Sequence, residues 1–148
     1  MTPLNLPAFA HQLTEQDGKL YIFDVLRRKH VRLTPEEWVR QHLIHLLINQ
    51  YQYPKALMQC EGGLRLNQTQ KRTDLVVFDR AGQPFLVVEC KAPTVAISQS
   101  VFDQVERYNH VHQAPYWIVS NGLLHFCGAI NTETAEWRFL DDFPAFEN

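Results

Sequence analysis

The sequence has 148 residues, of which 45% are hydrophobic and 20% charged, and its net charge is −2 at neutral pH. These values predict one domain over residues 1–148, and they argue against a polycation that coats nucleic acid while leaving room for a local basic groove. No apolar run approaches the roughly 20 residues of a membrane span, and the N-terminus lacks a secretion signal, so we expect no membrane association.

The chain is predicted to begin with little regular structure. Residues 1–18 contain two prolines among mixed polar residues and favour an irregular lead-in, whereas residues 19–25 favour a strand. The densest basic cluster of the sequence follows, and either a solvated loop or a contact to a phosphate backbone accounts for it. Its members are Arg27, Arg28, Lys29, His30 and Arg32.

A helix is predicted from residue 34 to about residue 50. Thr34 is a suitable N-cap, Pro35 suits the first helical position, and acids favour the positive N-terminal end. At about 100° per residue, Glu36 falls near the centre of the apolar face and Glu37 toward its edge. An acid aimed inward at this point is either a satisfied cap-region charge or part of a site.

Residues 72–91 are predicted to form two apolar strands joined by a polar turn. Side chains alternate along a strand, so Glu89 and Lys91 share one face while Cys90 points to the other. If the strands pair as a hairpin, Asp74 lies beside Glu89, and two acids and a lysine converge at one end of an apolar sheet. Because burying unpaired charges costs several kcal/mol, either a divalent metal or a salt bridge must satisfy them.

The secondary-structure signals on both sides of this hairpin are weaker. A strand or two is predicted within residues 57–66, where Glu61 is a candidate neighbour of the site without a fixed role. A second helix is predicted over residues 98–110. It places Gln104 and Tyr108, four residues apart, on one face, where ordinary packing and a role in a site are both open readings.

The C-terminal part reads as further strands. Asn121-Gly122 predicts a two-residue turn between strands over residues 116–120 and 123–130. Residues 137–140 favour an edge strand, followed by a tail on the surface. The order of helix, strands, helix and strands predicts an α/β fold built as a sandwich around a mixed sheet.

This constellation resembles the PD-(D/E)XK nuclease motif, in which an aspartate and a D/E-x-K run lie at one end of a sheet. Asp74 followed by Glu89-Cys90-Lys91 matches that motif, with Thr73 where its name has proline.

Two further features extend the resemblance to one subgroup. Glu36 matches the helix acid of many such nucleases, and Gln104 with Tyr108 matches a QxxxY signature. The runs at residues 34–41 and 88–93 look like the N-terminal nuclease domain of type I restriction enzyme R subunits. The chain lacks a helicase motor and a Walker A sequence, so we expect a nuclease module standing alone or a fragment of something longer.

The resemblance spans about residues 20–130 and implies a restriction-endonuclease-like α/β/α core with a mixed central sheet flanked by helices. It implies a DNA endonuclease that needs Mg²⁺, with Mn²⁺ as a substitute. The implied partners are DNA and either restriction–modification subunits or a motor protein, and no oligomeric state follows.

The resemblance also implies roles for the residues. Asp74 and Glu89 would hold the metal with the backbone carbonyl of Cys90, and Lys91 would work beside the attacking water. The helix acid, Glu36 or Glu37, would act through a metal-bound water or a second metal. The remaining members would orient the site or contact DNA: Arg40, Gln104 and Tyr108.

A different class of function stays open. A nucleic-acid-binding or assembly module could keep this fold without catalysis, in line with the small size and the pI of about 6.4. Three cysteines without a CxxC pair predict reduced thiols in the cytoplasm, with Cys60 and Cys127 in packing roles. The histidines show no zinc-site spacing, and the serines lack a nucleophile elbow.

Overall fold

The computed structural model describes residues 1–60 and 74–147. Its helices are α1 (Pro35–Asn49) and α2 (Gln99–His112), and a short 3-10 turn at Lys55–Leu57 lies between them. Its strands are β1 (Leu13–Gln16), β2 (Lys19–Asp24), β3 (Lys29–Arg32), β4 (Met58–Cys60), β5 (Leu75–Phe78), β6 (Pro84–Cys90), β7 (Tyr116–Ser120), β8 (His125–Asn131) and β9 (Glu136–Leu140).

Strands β4 to β9 form one mixed sheet in sequence order, and within the described residues only β6 and β7 pair in parallel. Helix α2 is the crossover between these two strands. Alternating side chains sort the core into two layers: Val77 and Val88 pack on the α1 side, and Val76 and Val87 pack on the α2 side. The predicted restriction-endonuclease-like α/β fold is confirmed.

Helix α1 begins and ends where its sequence predicts. The Thr34 hydroxyl accepts a hydrogen bond from the backbone N–H of Glu37 at 3.0 Å, and Gln50 is the C-cap. The apolar face of α1 is buried against the sheet through Val39, Leu43 and neighbouring residues. Within the described residues, neither helix has the length and apolar character to cross a bilayer.

The predicted hairpin is also present over its described residues. Leu75 pairs with Val88 in an antiparallel register, and the turn closes with the Asp79 N–H donating to the Gln83 carbonyl at 2.8 Å. Gly82, with φ of 84°, takes the left-handed position of this turn. The predicted continuation of the strand at residues 61–66, Glu61, and the hairpin start with Thr73 lie outside the described residues.

The predicted irregular lead-in is wrong for β1, which pairs antiparallel with β2 through a two-residue turn. Asp17 and Gly18 in that turn have φ of 55° and 75°, the backbone that a tight hairpin requires. The basic cluster was expected to be a loop, and this is wrong for Lys29–Arg32, which pairs with β2 as the third strand of this separate sheet. The expected solvation is present, since Lys29, His30 and Arg32 are exposed.

The turn after β7 differs from its prediction. Ser120 pairs with His125, so the connection contains four residues, 121–124, instead of the predicted two. The Asn121 side chain explains the longer loop because its Oδ1 accepts hydrogen bonds from two backbone N–H groups of the loop, at 2.9 and 3.0 Å.

The predicted edge strand is β9, but the tail beyond it is only partly on the surface. Phe143 and Phe146 pack against the α1-side core, and Pro144 is buried. The Tyr53 hydroxyl donates to the Pro144 carbonyl at 2.6 Å. Two aromatic side chains three residues apart therefore hold the tail against the core.

Candidate functional site

Asp74 lies immediately before β5, at the sheet end where β6 finishes. Its backbone N–H donates to the Val88 carbonyl at 3.1 Å, which extends the β5–β6 pairing by one residue. Its Oδ2 accepts from the Cys90 N–H at 2.6 Å, and its Oδ1 accepts from Arg40 Nη2 at 2.7 Å. The Asp74 carboxylate is therefore fixed both by the neighbouring strand and by α1.

Glu89 is the buried acid of the site, with a side chain that is 5% exposed. Its Oε2 lies 3.5 Å from the Lys91 ammonium, and its Oε1 has no hydrogen-bond partner among residues 1–60 and 74–147. Burial, and then the charge of Asp74, raise the pKa of Glu89 to about 8, against the opposing effect of Lys91. Glu89 is thus a buried carboxyl group whose ion pair with Lys91 does not offset the effects of burial and of Asp74.

Lys91 connects the sheet end to α2. Its Nζ donates to Gln104 Oε1 at 3.2 Å, and Gln104 Nε2 in turn donates to the Tyr108 hydroxyl at 3.0 Å. Burial raises the pKa of Tyr108, and Glu89 adds to that increase. The two residues four apart on α2 therefore form a polar row that reaches the ammonium group.

The two acids at the start of α1 have different surroundings, and the expectation that Glu36 lies at the centre of the buried face is wrong. The Glu37 side chain is 7% exposed, and its Oε1 accepts a hydrogen bond from Arg40 Nη1 at 2.5 Å. The Glu36 side chain is 45% exposed, and its Oε2 lies 3.4 Å from Arg40 Nη2. Burial and the charge of Asp74 raise the pKa of Glu36. Glu36 is thus the helix acid in electrostatic reach of Asp74.

A continuous chain of ion pairs, which we call the ion-pair chain, runs from the β2–β3 loop to Asp74. Arg27 Nε donates to Asp24 Oδ2 at 2.6 Å, and Arg27 Nη2 donates to Glu37 Oε2 at 2.9 Å. Arg40 then joins Glu37 to Asp74 through its two terminal nitrogens. Four of these five side chains are at most 14% exposed, and Arg27 is 24% exposed.

Gln41 and the backbone support the far end of the ion-pair chain. Gln41 Nε2 donates to Asp24 Oδ2 at 3.1 Å and to Glu37 Oε2 at 2.9 Å. Burial alone would raise the pKa of Asp24, but hydrogen bonds from Arg27 and from the Leu26 N–H overcome it and hold that pKa below its ordinary value. Asp24 is therefore a stable anion at the base of the chain.

Cys90 contributes its backbone to the site and its side chain to the core. The thiol is fully buried on the α1 side of the sheet, and burial raises its pKa well above the ordinary value. A protonated thiol on the opposite face is not a ligand for a hard cation. Cys60 and Cys127 are likewise free and packed, with pKa values raised by burial to about 12.

The fold brings Asp74, Glu89, Lys91, Gln104 and Tyr108 to one region, with Arg40 and Glu36 reaching it from α1. Sequence reasoning kept Glu37 as an alternative helix acid but missed Asp24 and the pairing of Arg27 with Glu37. One signal was available, because Glu37 and Arg40 are three residues apart on a helix and so share a face. The pairing with Arg27 depends on the β2–β3 loop and has no local signature.

The carboxylate oxygens of Asp74 and Glu89 are chemically suited to a hard divalent cation. Within the described ranges, no group of three His, Cys, Asp or Glu side chains is arranged to hold a metal ion. The charge of Asp74 does act on Glu89, and Glu89 Oε1 is a buried oxygen without a partner among the described residues. Carboxylate oxygens of this kind suit Mg²⁺ or Mn²⁺. Both oxygens of Asp74 are already occupied, by Arg40 and by the Cys90 N–H.

Residues 35–144 match the family described as the type I restriction enzyme R protein N terminus. The chain belongs to this family. No curated protein matches the chain significantly. The family match begins at the first residue of α1 and continues past β9, so it contains every predicted site residue. Membership of this family is consistent with the PD-(D/E)XK superfamily. It leaves out β1–β3, and it associates the chain with type I restriction systems.

Proposed function

We propose that this chain is a Mg²⁺-dependent DNA endonuclease of the type I restriction R-protein N-terminal class, which hydrolyses phosphodiester bonds. The observation that carries this proposal is Glu89, a buried carboxyl with an unpartnered oxygen beside Asp74 and Lys91. A buried acid next to a second acid is unfavourable unless positive charge joins it. Lys91 pairs with Oε2, and a divalent cation at the unpartnered Oε1 would supply further positive charge.

Asp74 and Glu89 would hold the metal, with the Cys90 carbonyl as a further oxygen donor. A bound Mg²⁺ ion supplies Lewis acidity, which polarises the scissile phosphate and makes a coordinated water more acidic. The residues hold their positions without it, because the Cys90 N–H and Arg40 fix the Asp74 carboxylate in place.

Lys91 would offset the negative charge that develops on the phosphate during attack. Gln104 accepts a hydrogen bond from its ammonium, and Tyr108 fixes the Gln104 amide in the orientation that makes this possible. Helix α2 thus holds the Lys91 ammonium group at the sheet end, so no large motion is needed to bring this group to a substrate.

Glu36 and Arg40 would act at the side of the site nearest α1. The half-exposed Glu36 carboxylate lies close enough to Asp74 to contribute to cation binding through a water molecule. Arg40 is tied to three acids and is 12% exposed, so its role is to position Asp74 rather than to contact the DNA backbone.

The test is cleavage of plasmid DNA by the purified protein in Mg²⁺ or Mn²⁺, with Lys91→Ala compared with wild type. We expect metal-dependent cutting that falls about 100-fold in the variant, the scale of losing one transition-state charge contact. Lys55→Ala, at an exposed lysine in the 3-10 turn, is the matched control and should cut like wild type. Absence of metal-dependent cutting, or equal cutting by Lys91→Ala, would count against catalysis.

A second candidate is a nucleic-acid-binding or assembly module without useful catalysis. It is favoured by the occupied oxygens of Asp74 and by the absence of a three-ligand cluster among the described residues. Calorimetric titration with Mn²⁺, with and without DNA, separates the two candidates. Heat of binding that disappears in Glu89→Gln supports the nuclease, and no binding in either condition supports the module.

The proposed setting is a restriction system in the cytoplasm, where the domain would act on DNA with restriction–modification subunits or a motor protein. The three free cysteines are in line with a reducing compartment. Neighbouring genes for a methylase and a specificity subunit would support this setting.

A further inference from the structure

The small β1–β3 sheet presents a surface that the proposed nuclease site does not use. Strand pairing aligns Tyr21 with Arg32 and Phe23 with His30 across β2 and β3. Lys19 lies on the same side of β2, two residues before Tyr21. We call these five residues the outer face.

Burial shows which side of the sheet faces solvent. Ile22 and Asp24 are fully buried, so the alternate positions of β2 point inward to α1 and to the ion-pair chain. Tyr21 and Phe23 are half-buried, and the three basic residues of the outer face are exposed. The outer face is therefore accessible and combines aromatic rings with cationic side chains.

The charge of this part of the molecule opposes that of the rest. Residues 13–32 contain five Lys or Arg and three Asp or Glu, a net of +2, in a chain whose net charge is −2. Among the described residues of the sheet, the acids lie in the β1–β2 turn or on the inner side, and the outer face has none. A polyanion is the complementary partner.

The aromatic rings define the kind of polyanion. Tyr21 and Phe23 are two residues apart on one strand, about 6.8 Å along it. Bases in a duplex are about 3.4 Å apart along each strand and stack on one another, so their faces are not available to protein rings. Bases of an extended single strand can be separated by the larger distance and stack on aromatic side chains.

We propose that the outer face binds a short single-stranded stretch of DNA. Tyr21 and Phe23 stack on bases, while Arg32 and Lys19 contact phosphates. Phe23, which pairs with His30, is followed directly by Asp24, where the ion-pair chain to Asp74 begins. The bound strand would thus lie beside a structure connected to the candidate nuclease site, on a sheet that the family match does not include.

The experiment is fluorescence anisotropy with a labelled oligothymidylate of about 20 nucleotides, in EDTA so that no cleavage occurs. Tyr21→Ala and Phe23→Ala should each weaken binding at least about fivefold, the lower end for loss of one base stack. Tyr21→Phe keeps the ring and should bind like wild type, which separates loss of stacking from loss of folding.

Arg32→Ala and Lys29→Ala each remove one positive charge, and together they test whether the position of the charge decides binding. Both residues are exposed on β3, but Lys29 pairs with Asp24 on the inner side. Arg32→Ala should reduce the slope of log affinity against log salt by about 0.7, and Lys29→Ala should leave it unchanged.

Equal affinity of wild type and the alanine variants would overturn the proposal, as would equal losses in Arg32→Ala and Lys29→Ala. A duplex that binds as tightly as the single strand, with the same sensitivity to Tyr21→Ala, would also overturn it. Because the assay contains no metal, its outcome is independent of whether the protein cuts DNA.

Discussion

Glu89→Gln is expected to stabilise the metal-free protein at neutral pH. The pKa of Glu89 is about 8 in the folded chain, against an ordinary value of 4.5, because its side chain is buried beside Asp74. With the folded pKa raised, the stability that Glu89 contributes is complete below pH 4.5 and is lost as the pH rises through 8. At pH 7 the loss is on the order of 3 kcal/mol.

The assay is urea unfolding in EDTA at pH 5, 7 and 8. Wild type should lose stability across this range, and Glu89→Gln should lose much less, so that the variant is the more stable protein at pH 8. Glu106→Gln removes an exposed acid from α2 and is the matched control for the change in net charge. It should follow the pH dependence of wild type.

Two results would refute this reasoning. One is a difference between wild type and Glu89→Gln that does not change between pH 5 and pH 8. The other is a variant that is less stable than wild type at pH 8. Either result would mean that the buried carboxyl is satisfied without a cation, and the main support for a metal site would then be lost.

Two further substitutions test the packing around the site. Glu37→Ala removes the acid that pairs with two arginines, and it should lower the free energy of unfolding by about 3–5 kcal/mol, measured by urea unfolding. Glu36→Ala, at a half-exposed acid, should lower it by less than about 1 kcal/mol. Equal losses of stability in the two variants would contradict the ion-pair chain. Gly128→Ala places a Cβ against the buried indole ring of Trp117 and should cost about 1–3 kcal/mol, seen as a lower thermal midpoint. An unchanged midpoint would contradict this close packing.

The elements that sequence reasoning placed well are those with strong local chemistry. The Thr34-Pro35 start located α1 because capping and the fixed proline φ act within one turn of helix. The hairpin that ends in Glu89-Cys90-Lys91 was located because alternation and turn residues act between neighbouring strands. The roles of these residues in metal binding and catalysis stay predictions.

The features that were placed wrongly depend on partners distant in sequence. Apolar positions alone put Glu36 at the centre of the buried face of α1, but Glu37 is the buried acid, held there by Arg27 from the β2–β3 loop and by Arg40 of the same helix. Asn121-Gly122 has the composition of a two-residue turn, yet the Asn121 Nδ2 donates to the Val95 carbonyl at 2.9 Å, and this contact belongs to the longer loop. Periodicity and composition contain no information on such contacts.

The two helices bury different numbers of side chains, and we expect this difference to decide which helix separates from the sheet first. Helix α1 buries eight of its side chains, whereas α2 buries only Val101, Val105 and Asn109. Local opening needs the least free energy where the fewest side chains are buried, so we expect α2 to separate from the sheet before α1. Gln104 and Tyr108 leave with it, and Lys91 loses its orientation while the acids stay in place. We therefore expect Lys91 to lose its hydrogen bond to Gln104, but to keep its ion pair with Glu89, in fluctuations smaller than unfolding.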